Sequence, residues 1–181
     1  LRELMDECLV VVRSRLSGIQ VEVDVKADIE IEVVRSQFGQ VLMNLIANAA
    51  DAVNDQDADL THEGIEDKKI WISAIDQGPE GILISLEDSG RGVPEEIREK
   101  ILQPFFTTKK VGQGTGLGMP IVSRILSLHG FGLEIDSSTK LGGARFVIRC
   151  SQNNVDKVPE HPNCDTDGET QDTLHRPVLL S

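Results

Sequence analysis

Between residues 112 and 118 glycine occupies every second position, in Gly112-Gln113-Gly114-Thr115-Gly116-Leu117-Gly118. Alternate glycines give the backbone freedom and let it approach a ligand closely, so the stretch reads as loop. It runs into Gly116–His129, a helical pattern with Pro120 near its first turn, where a missing N–H costs nothing. N–H groups at such a helix start can bind an anion, and the glycines could close over phosphates. The run is not a Walker A loop, because no Gly-Lys-Ser/Thr follows. Nor is it a Rossmann fingerprint, because the spacing fails at Leu117 and Met119 and no strand precedes it. Taken alone, a plain linker reads equally well, and the surroundings must decide.

The chain has 181 residues, 16 of them glycine, and a formal net charge of −12 from 18 Lys+Arg against 30 Asp+Glu. The length suits one domain with a tail, and 39% hydrophobic residues can build its core. The acidic balance argues against a nucleic-acid or anionic-membrane surface. No apolar run approaches the ~20 residues needed to span a bilayer, and the start lacks a signal-peptide pattern. Cys8, Cys150 and Cys164 are odd in number and lack C-x-x-C spacing, which disfavours a disulfide framework or zinc site and suits a reducing cytosol.

The chain starts at Leu1 and is expected to be a piece of something longer. Leu1–Leu16 has helical apolar spacing, and Ser17-Gly18 ends it. Ile19, Val21, Val23 and Val25 alternate with polar residues as a half-buried strand, followed by a strand-like Ile29–Val34. Ser36 is a plausible N-cap for a helix over about Gln37–Val53. Asn54–Lys68 reads as an acidic loop. Lys69–Ile75 and Gly81–Glu87 are strands joined by Asp76-Gln77-Gly78-Pro79, Pro94–Leu102 suits a short helix, and Gln103–Thr115 is loop. Gly132–Ser137 and Ala144–Cys150 are two more strands. Ser151–Arg176 has the composition of a disordered linker, and Pro177–Ser181 turns apolar again, like a strand cut short.

Three further elements could carry chemistry. On the 37–53 helix, Phe38, Val41, Leu42, Leu45, Ile46, Ala49 and Val53 share one face. At about 100° per residue, Gln40, Asn44, Asn48 and Asp51 fall within about 80° on a neighbouring stripe. A solvated polar face is the ordinary reading of such a stripe. Asn is, however, a mediocre helix former, and an i, i+4 Asn pair can offer carbonyl oxygens to Mg²⁺, which takes oxygen ligands plus water and phosphates. Asp88-Ser89-Gly90-Arg91-Gly92 follows an apolar strand: either an Asx turn, or a carboxylate accepting from an amine while glycine backbone closes over a flat ring. In Pro104-Phe105-Phe106-Thr107-Thr108-Lys109-Lys110 the Phe pair could anchor a lid, as well as forming a local staple, while Thr107, Thr108 and Lys109 reach phosphate oxygens.

In this order, the four elements resemble the ATP-binding domain of sensor histidine kinases, the kinase branch of the family that holds gyrase, the Hsp90 chaperones and the MutL repair proteins. Gln40–Ala49 resembles the N box, Asp88–Gly92 the G1 box, Pro104–Lys109 the F box and Gly114–Gly118 the G2 box, over roughly residues 1–150. The resemblance implies an α/β two-layer sandwich, a mixed, mostly antiparallel sheet with helices on one face. It implies ATP and Mg²⁺, with Asn48 on the metal and Asn44 supporting it as the catalytic pair. Asp88 would accept from the adenine amine, with Gly90 and Gly92 letting backbone approach the base. Phe105–Gly118 would form the lid, with Gly114, Thr115, Gly116, Leu117 and Gly118 at the phosphates. Asp51 counts with the nucleotide-binding residues, but it stands where some members carry a phosphate-touching Lys or Arg, so Lys109 or Lys110 would take the charge role. ATP-hydrolysing members resemble one another in placing a water-activating Glu at the position of Asn44, an amide that cannot take a proton. Slow intrinsic ATPase is therefore expected.

The implied activity is that of a protein-histidine kinase in two-component signalling, transferring the γ-phosphoryl to a histidine on a dimerisation/phosphoacceptor domain outside this chain. Its partners would be that domain, in a homodimeric parent, and a response regulator or fused receiver domain, with no nucleic acid and no membrane contact by this piece. A cytoplasmic location is expected, in a parent that can be anchored in the inner membrane. The expected division is an acceptor-domain helix end or linker at 1–17, the catalytic domain at 18–150, and an acidic disordered linker at 151–181, leading into Arg176–Leu180, which resembles the entry to the first strand of a receiver domain. His62, His129, His161 and His175 read as structural or surface residues rather than acceptors. A pseudokinase that binds nucleotide only to switch conformation is the alternative of another class. A related serine kinase is a third reading, disfavoured by the helical entry and the receiver-like exit.

Overall fold

The computed structural model describes residues 1–55, 68–109, 114–151 and, as backbone, 178–180. The chain runs α1 (Arg2–Val12), β1 (Gln20–Asp24), β2 (Ile31–Val33), α2 (Arg35–Asn54), β3 (Lys69–Asp76), β4 (Ile82–Asp88), α3 (Gly118–Leu128), β5 (Gly132–Ser137), β6 (Ala144–Cys150) and β7 (Val178–Leu180). Five strands form a sheet in the order β1-β3-β4-β6-β5. The β1–β3 pairing is parallel, and the β3–β4, β4–β6 and β5–β6 pairings are antiparallel. This is the mixed, mostly antiparallel sheet expected.

Period-two alternation decides which face the helices cover. Ile70, Ile72 and Ala74 of β3, Ile82, Ile84 and Leu86 of β4, and Ala144, Phe146, Ile148 and Cys150 of β6 are buried in one core with the helices. The other face is polar. There Glu87 stands opposite both Trp71 and Arg145 in register, Lys140 Nζ lies 3.0 Å from the Trp71 ring centre, and Arg149 pairs with Glu134 at 2.7 and 3.0 Å.

α2 is the central helix. It buries Phe38, Val41, Leu42, Leu45, Ile46, Ala49 and Val53 at helical spacing and packs against α1, α3 and β4. Its start has no side-chain cap of its own. Instead the Val34 N–H donates to His129 Nε2 at 3.1 Å, which leaves Nδ1 to donate to the Ile125 carbonyl at 2.8 Å. His129 thus ties the end of α3 to the start of α2; the other three histidines lie outside the described residues.

Helix α1, expected at the edge of an acceptor domain, buries Leu4, Met5, Cys8 and Val12 in the same core. It stops at Val12 rather than Leu16, and a turn over residues 13–18 carries the chain into β1. Residues 94–102 form two short 3₁₀ turns, Glu95–Ile97 and Lys100–Leu102, instead of one helix. Arg98, between them, is pinned to the Val93 carbonyl, Asp136 and Ser137. A helix this short is marginal on its own, so these tertiary bonds set its shape. Burial pushes the Cys8 thiol up to about 11 and that of Cys150 up to about 12, so both stay protonated and unreactive. β7 pairs antiparallel with β2, Val178 opposite Val33.

Candidate functional site

Between α2, the end of β4, α3 and the loops before it lies a cavity of about 560 Å³. Its wall includes Asn44, Asn48, Asp51, Asp88, Gly92, Thr107, Thr108, Lys109, Gly114, Thr115, Gly116 and Gly118. Four stretches separated by up to about seventy residues therefore meet at one place, as the motif reading requires. Two expected residues are not in the wall. Gly90 lies behind Asp88, and Leu117 points outward with 38% exposure.

Asp88 is the most deeply buried carboxylate of the site, 1% exposed. Its Oδ1 accepts from the Gly90 N–H at 2.8 Å and the Ala144 N–H at 3.2 Å. Its Oδ2 is buried with no hydrogen-bond partner among the described residues. An orphaned buried acceptor is costly, so its presence points to a ligand donor. Burial raises the Asp88 carboxyl above its ordinary range, and the two backbone N–H groups partly oppose that. The backbone closes tightly behind this carboxylate: a Cβ on Gly143 would lie 2.3 Å from Asp88 Oδ1 and 2.6 Å from the Gly90 nitrogen. Only glycine fits there.

Around Asn48 the wall is built differently. Asn44 and Asn48 lie one helical turn apart on α2, under the first residue of α3: a Cβ on Gly118 would be 3.6 Å from Asn44 Oδ1 and 3.8 Å from Asn48 Nδ2. Asn44 Nδ2 is also buried without a partner among the described residues. Asp51 takes two cations, the Lys109 ammonium and the Arg15 guanidinium, the latter at 3.1 Å to both oxygens. Thr107 Oγ1 accepts from the Lys109 N–H at 3.2 Å, and Thr108 Oγ1 accepts from Arg91 at 3.0 Å. Lys110, Gly112 and Gln113 lie outside the described residues. Gly116 has φ +64, and its Cβ position falls 2.5 Å from the Phe105 carbonyl carbon. The Phe105 N–H bonds the Gly116 carbonyl at 2.9 Å, so the F-box and G2 segments cross backbone to backbone.

Ala47, Arg91 and Phe106, inside the N, G1 and F boxes but given no role of their own, also line the wall, and the motif reading missed Arg15, Ala52, Asp55, Val93, Ile101, Met119, Ala144 and Phe146, which complete it. Ala144 and Phe146 were recoverable from strand alternation; Arg15 had no local signal.

The donor set fits an ion that arrives with its own ligands. No group of three His, Cys, Asp or Glu able to hold a metal occurs among the described residues. Asn48 can supply one amide oxygen, and Mg²⁺ typically keeps several waters and phosphate oxygens beside one or two protein ligands.

Residues 33–154 match the sequence profile of the histidine kinase-, DNA gyrase B-, and HSP90-like ATPases. Sensor histidine kinase ZraS of Escherichia coli O157:H7 is 34% identical over 131 residues, 72% of this chain and 25% of ZraS. The signal transduction histidine-protein kinase AtoS of Escherichia coli K12 is 32% identical over 153 residues, 82% of this chain and 23% of AtoS. The chain thus spans about a quarter of the length of these curated relatives. Among solved structures, the catalytic domain of histidine kinase ThkA superposes with a TM-score of 0.66 at 33% identity, covering 82% of this chain and 90% of that one. The mycobacterial sensor histidine kinase MprB gives a TM-score of 0.66 at 25% identity, covering 81% and 91%. By sequence profile, relatives and fold, the chain belongs to the histidine kinase-, DNA gyrase B- and HSP90-like ATPases, among the catalytic domains of histidine kinases.

Proposed function

We propose that this chain binds Mg-ATP in the 560 Å³ cavity and transfers the γ-phosphoryl to a histidine on a dimerisation/phosphoacceptor domain outside it. The observation that carries the reading is Asp88 Oδ2, without a partner among the described residues: a buried acceptor, in a cavity also lined by Val93, Met119 and Phe146, suits the exocyclic amine of adenine. The buried Asn44 amide and Asn48 lie where the polyphosphate would run. Asn48 would hold Mg²⁺, whose charge offsets that developing on the transferred group. Thr107, Thr108, Lys109 and the N–H groups from Gly114 to Gly118 would orient the phosphates. No carboxylate stands at Asn44 to take a proton from water, so the γ-phosphoryl is kept for the acceptor.

In the parent protein the acceptor domain would form the homodimer, and a response regulator or fused receiver would take the phosphoryl onward. The test is transfer in trans. The chain is incubated with labelled Mg-ATP and a separately supplied acceptor hairpin. Acid-labile label on the hairpin, lost with Asn48→Ala, supports the reading. ATP binding without transfer would make the chain a regulatory module instead.

A further inference from the structure

The turn after α1 brings into the cavity a cation that lies in none of the four motifs. Arg15 is fixed at its backbone: its N–H donates to the Val12 carbonyl at 2.9 Å, and its own carbonyl accepts from Asn54 Nδ2 at 3.4 Å. From there its guanidinium reaches Asp51 on the cavity wall. Asp51 is three residues beyond Asn48, and it also holds Lys109, whose stem lies 3.2 Å from the Cβ position of Gly114. Arg15 therefore belongs to the Asn48–Lys109 side of the cavity, not the Asp88 side.

The charges there do not balance within the cluster. Two cations share one carboxylate, so the cluster carries a surplus positive charge, opposed by Asp55, which also lines the cavity. The Arg15 side chain is 55% exposed, and an ion pair so open to water is weakly held. A guanidinium presents a planar fork that matches phosphate oxygens as well as a carboxylate. A phosphate carrying more charge than Asp51 can take it over at little cost.

We propose that Arg15 is a further nucleotide-binding residue, kept on Asp51 until the terminal phosphates of ATP take its guanidinium. This rests on the reading that the cavity takes ATP. It adds a phosphate contact from the α1–β1 turn and so links occupancy of the cavity to the position of α1.

The experiment is titration calorimetry of the chain with ATP, ADP and AMP in the presence of Mg²⁺, for the wild type, Arg15→Gln and Arg15→Lys. Arg15→Gln is expected to weaken ATP about tenfold and ADP less, to leave AMP within about twofold, and Arg15→Lys to recover part of the ATP loss. Unchanged ATP affinity in Arg15→Gln overturns the proposal, as does an equal loss for all three nucleotides, which marks a structural role. A wild type that binds AMP and ATP equally overturns it as well. A wild type that binds no adenine nucleotide overturns the ATP reading itself, a result distinct from each of the others.

Discussion

The two sides of the cavity are held in shape by different means. Around Asp88 the geometry comes from backbone: two N–H groups fix one carboxylate oxygen, and the Gly143 N–H donates to the Asp88 carbonyl at 3.1 Å. Around Asn48 it comes from side chains, the Arg15–Asp51–Lys109 pairs and the Arg91–Thr108 bond, most of them open to water. A flat base needs a shaped, preorganised slot, whereas phosphates can be met by charges that readjust. Matched glycine substitutions break or sharpen this contrast. Gly143→Ala drives a methyl into Asp88 and the Gly90 backbone, neither of which can give way. It should destabilise the chain by about 2–3 kcal/mol, read as a lowered urea midpoint. Gly114→Ala also meets a close atom, Thr107 Oγ1 at 2.8 Å, but that exposed hydroxyl can rotate. It should cost under about 1 kcal/mol. Equal losses would erase the distinction between the two sides.

Asp88→Asn separates binding from stability on the first side. An asparagine keeps the Oδ1 acceptor but turns an NH₂ toward the place of Oδ2, setting donor against donor for the adenine amine. ATP affinity should fall about 10- to 100-fold, the cost of about 1.4–2.8 kcal/mol for a mispaired buried group. Folding stability should not fall, because burial already disfavours the ionised carboxylate. The same raised pKa fixes the sign with pH. The fold prefers protonated Asp88, so its penalty on stability is present above the raised pKa and is relieved as pH falls through it. Binding goes the other way, because a protonated Oδ2 no longer accepts freely. Wild-type ATP affinity should drop on acidification before the ordinary aspartate range near ~3.9 is reached, and Asp88→Asn should lack that drop. A wild-type affinity flat over the same interval would remove Asp88 from the site.

This division also explains which parts of the molecule were legible in the sequence. β5 and β6 run over the Gly132–Ser137 and Ala144–Cys150 spans expected of them, and α2 extends its expected span by two residues before and one after. These are local patterns. The parallel β1–β3 pairing is not local: Gln20 lies opposite Lys69, and no turn residue announces it. The motif residues were readable because glycines, Asn pairs and a carboxylate at a strand end are chemically unusual where they stand. Arg15 was not, because an arginine after an amphipathic helix is ordinary until the fold brings it to Asp51. The 94–102 segment failed for a related reason: its composition suits a helix, and only the distant Asp136 and Ser137 contacts of Arg98 bend it into two turns.

The smallest effect belongs to the second side. Lys109→Ala removes one of the two cations on Asp51 and leaves Arg15 to neutralise the carboxylate. Partly exposed ion pairs contribute about 0–1 kcal/mol, so the urea midpoint should barely move. ATP affinity should still fall, because a charge facing the phosphates is gone. The loss should shrink at high salt, where exposed charges are screened beyond a Debye length of about 3 Å at 1 M. The measurement is the ratio of wild-type to variant ATP affinity at low and high salt, with chemical unfolding of both alongside. A ratio that is large and independent of salt would mean that Lys109 is fixed in place like the groups around Asp88, and the two sides of the cavity would then be built alike. A ratio that closes with salt, at unchanged stability, keeps the readjustable charges on one side and the fixed acceptor on the other.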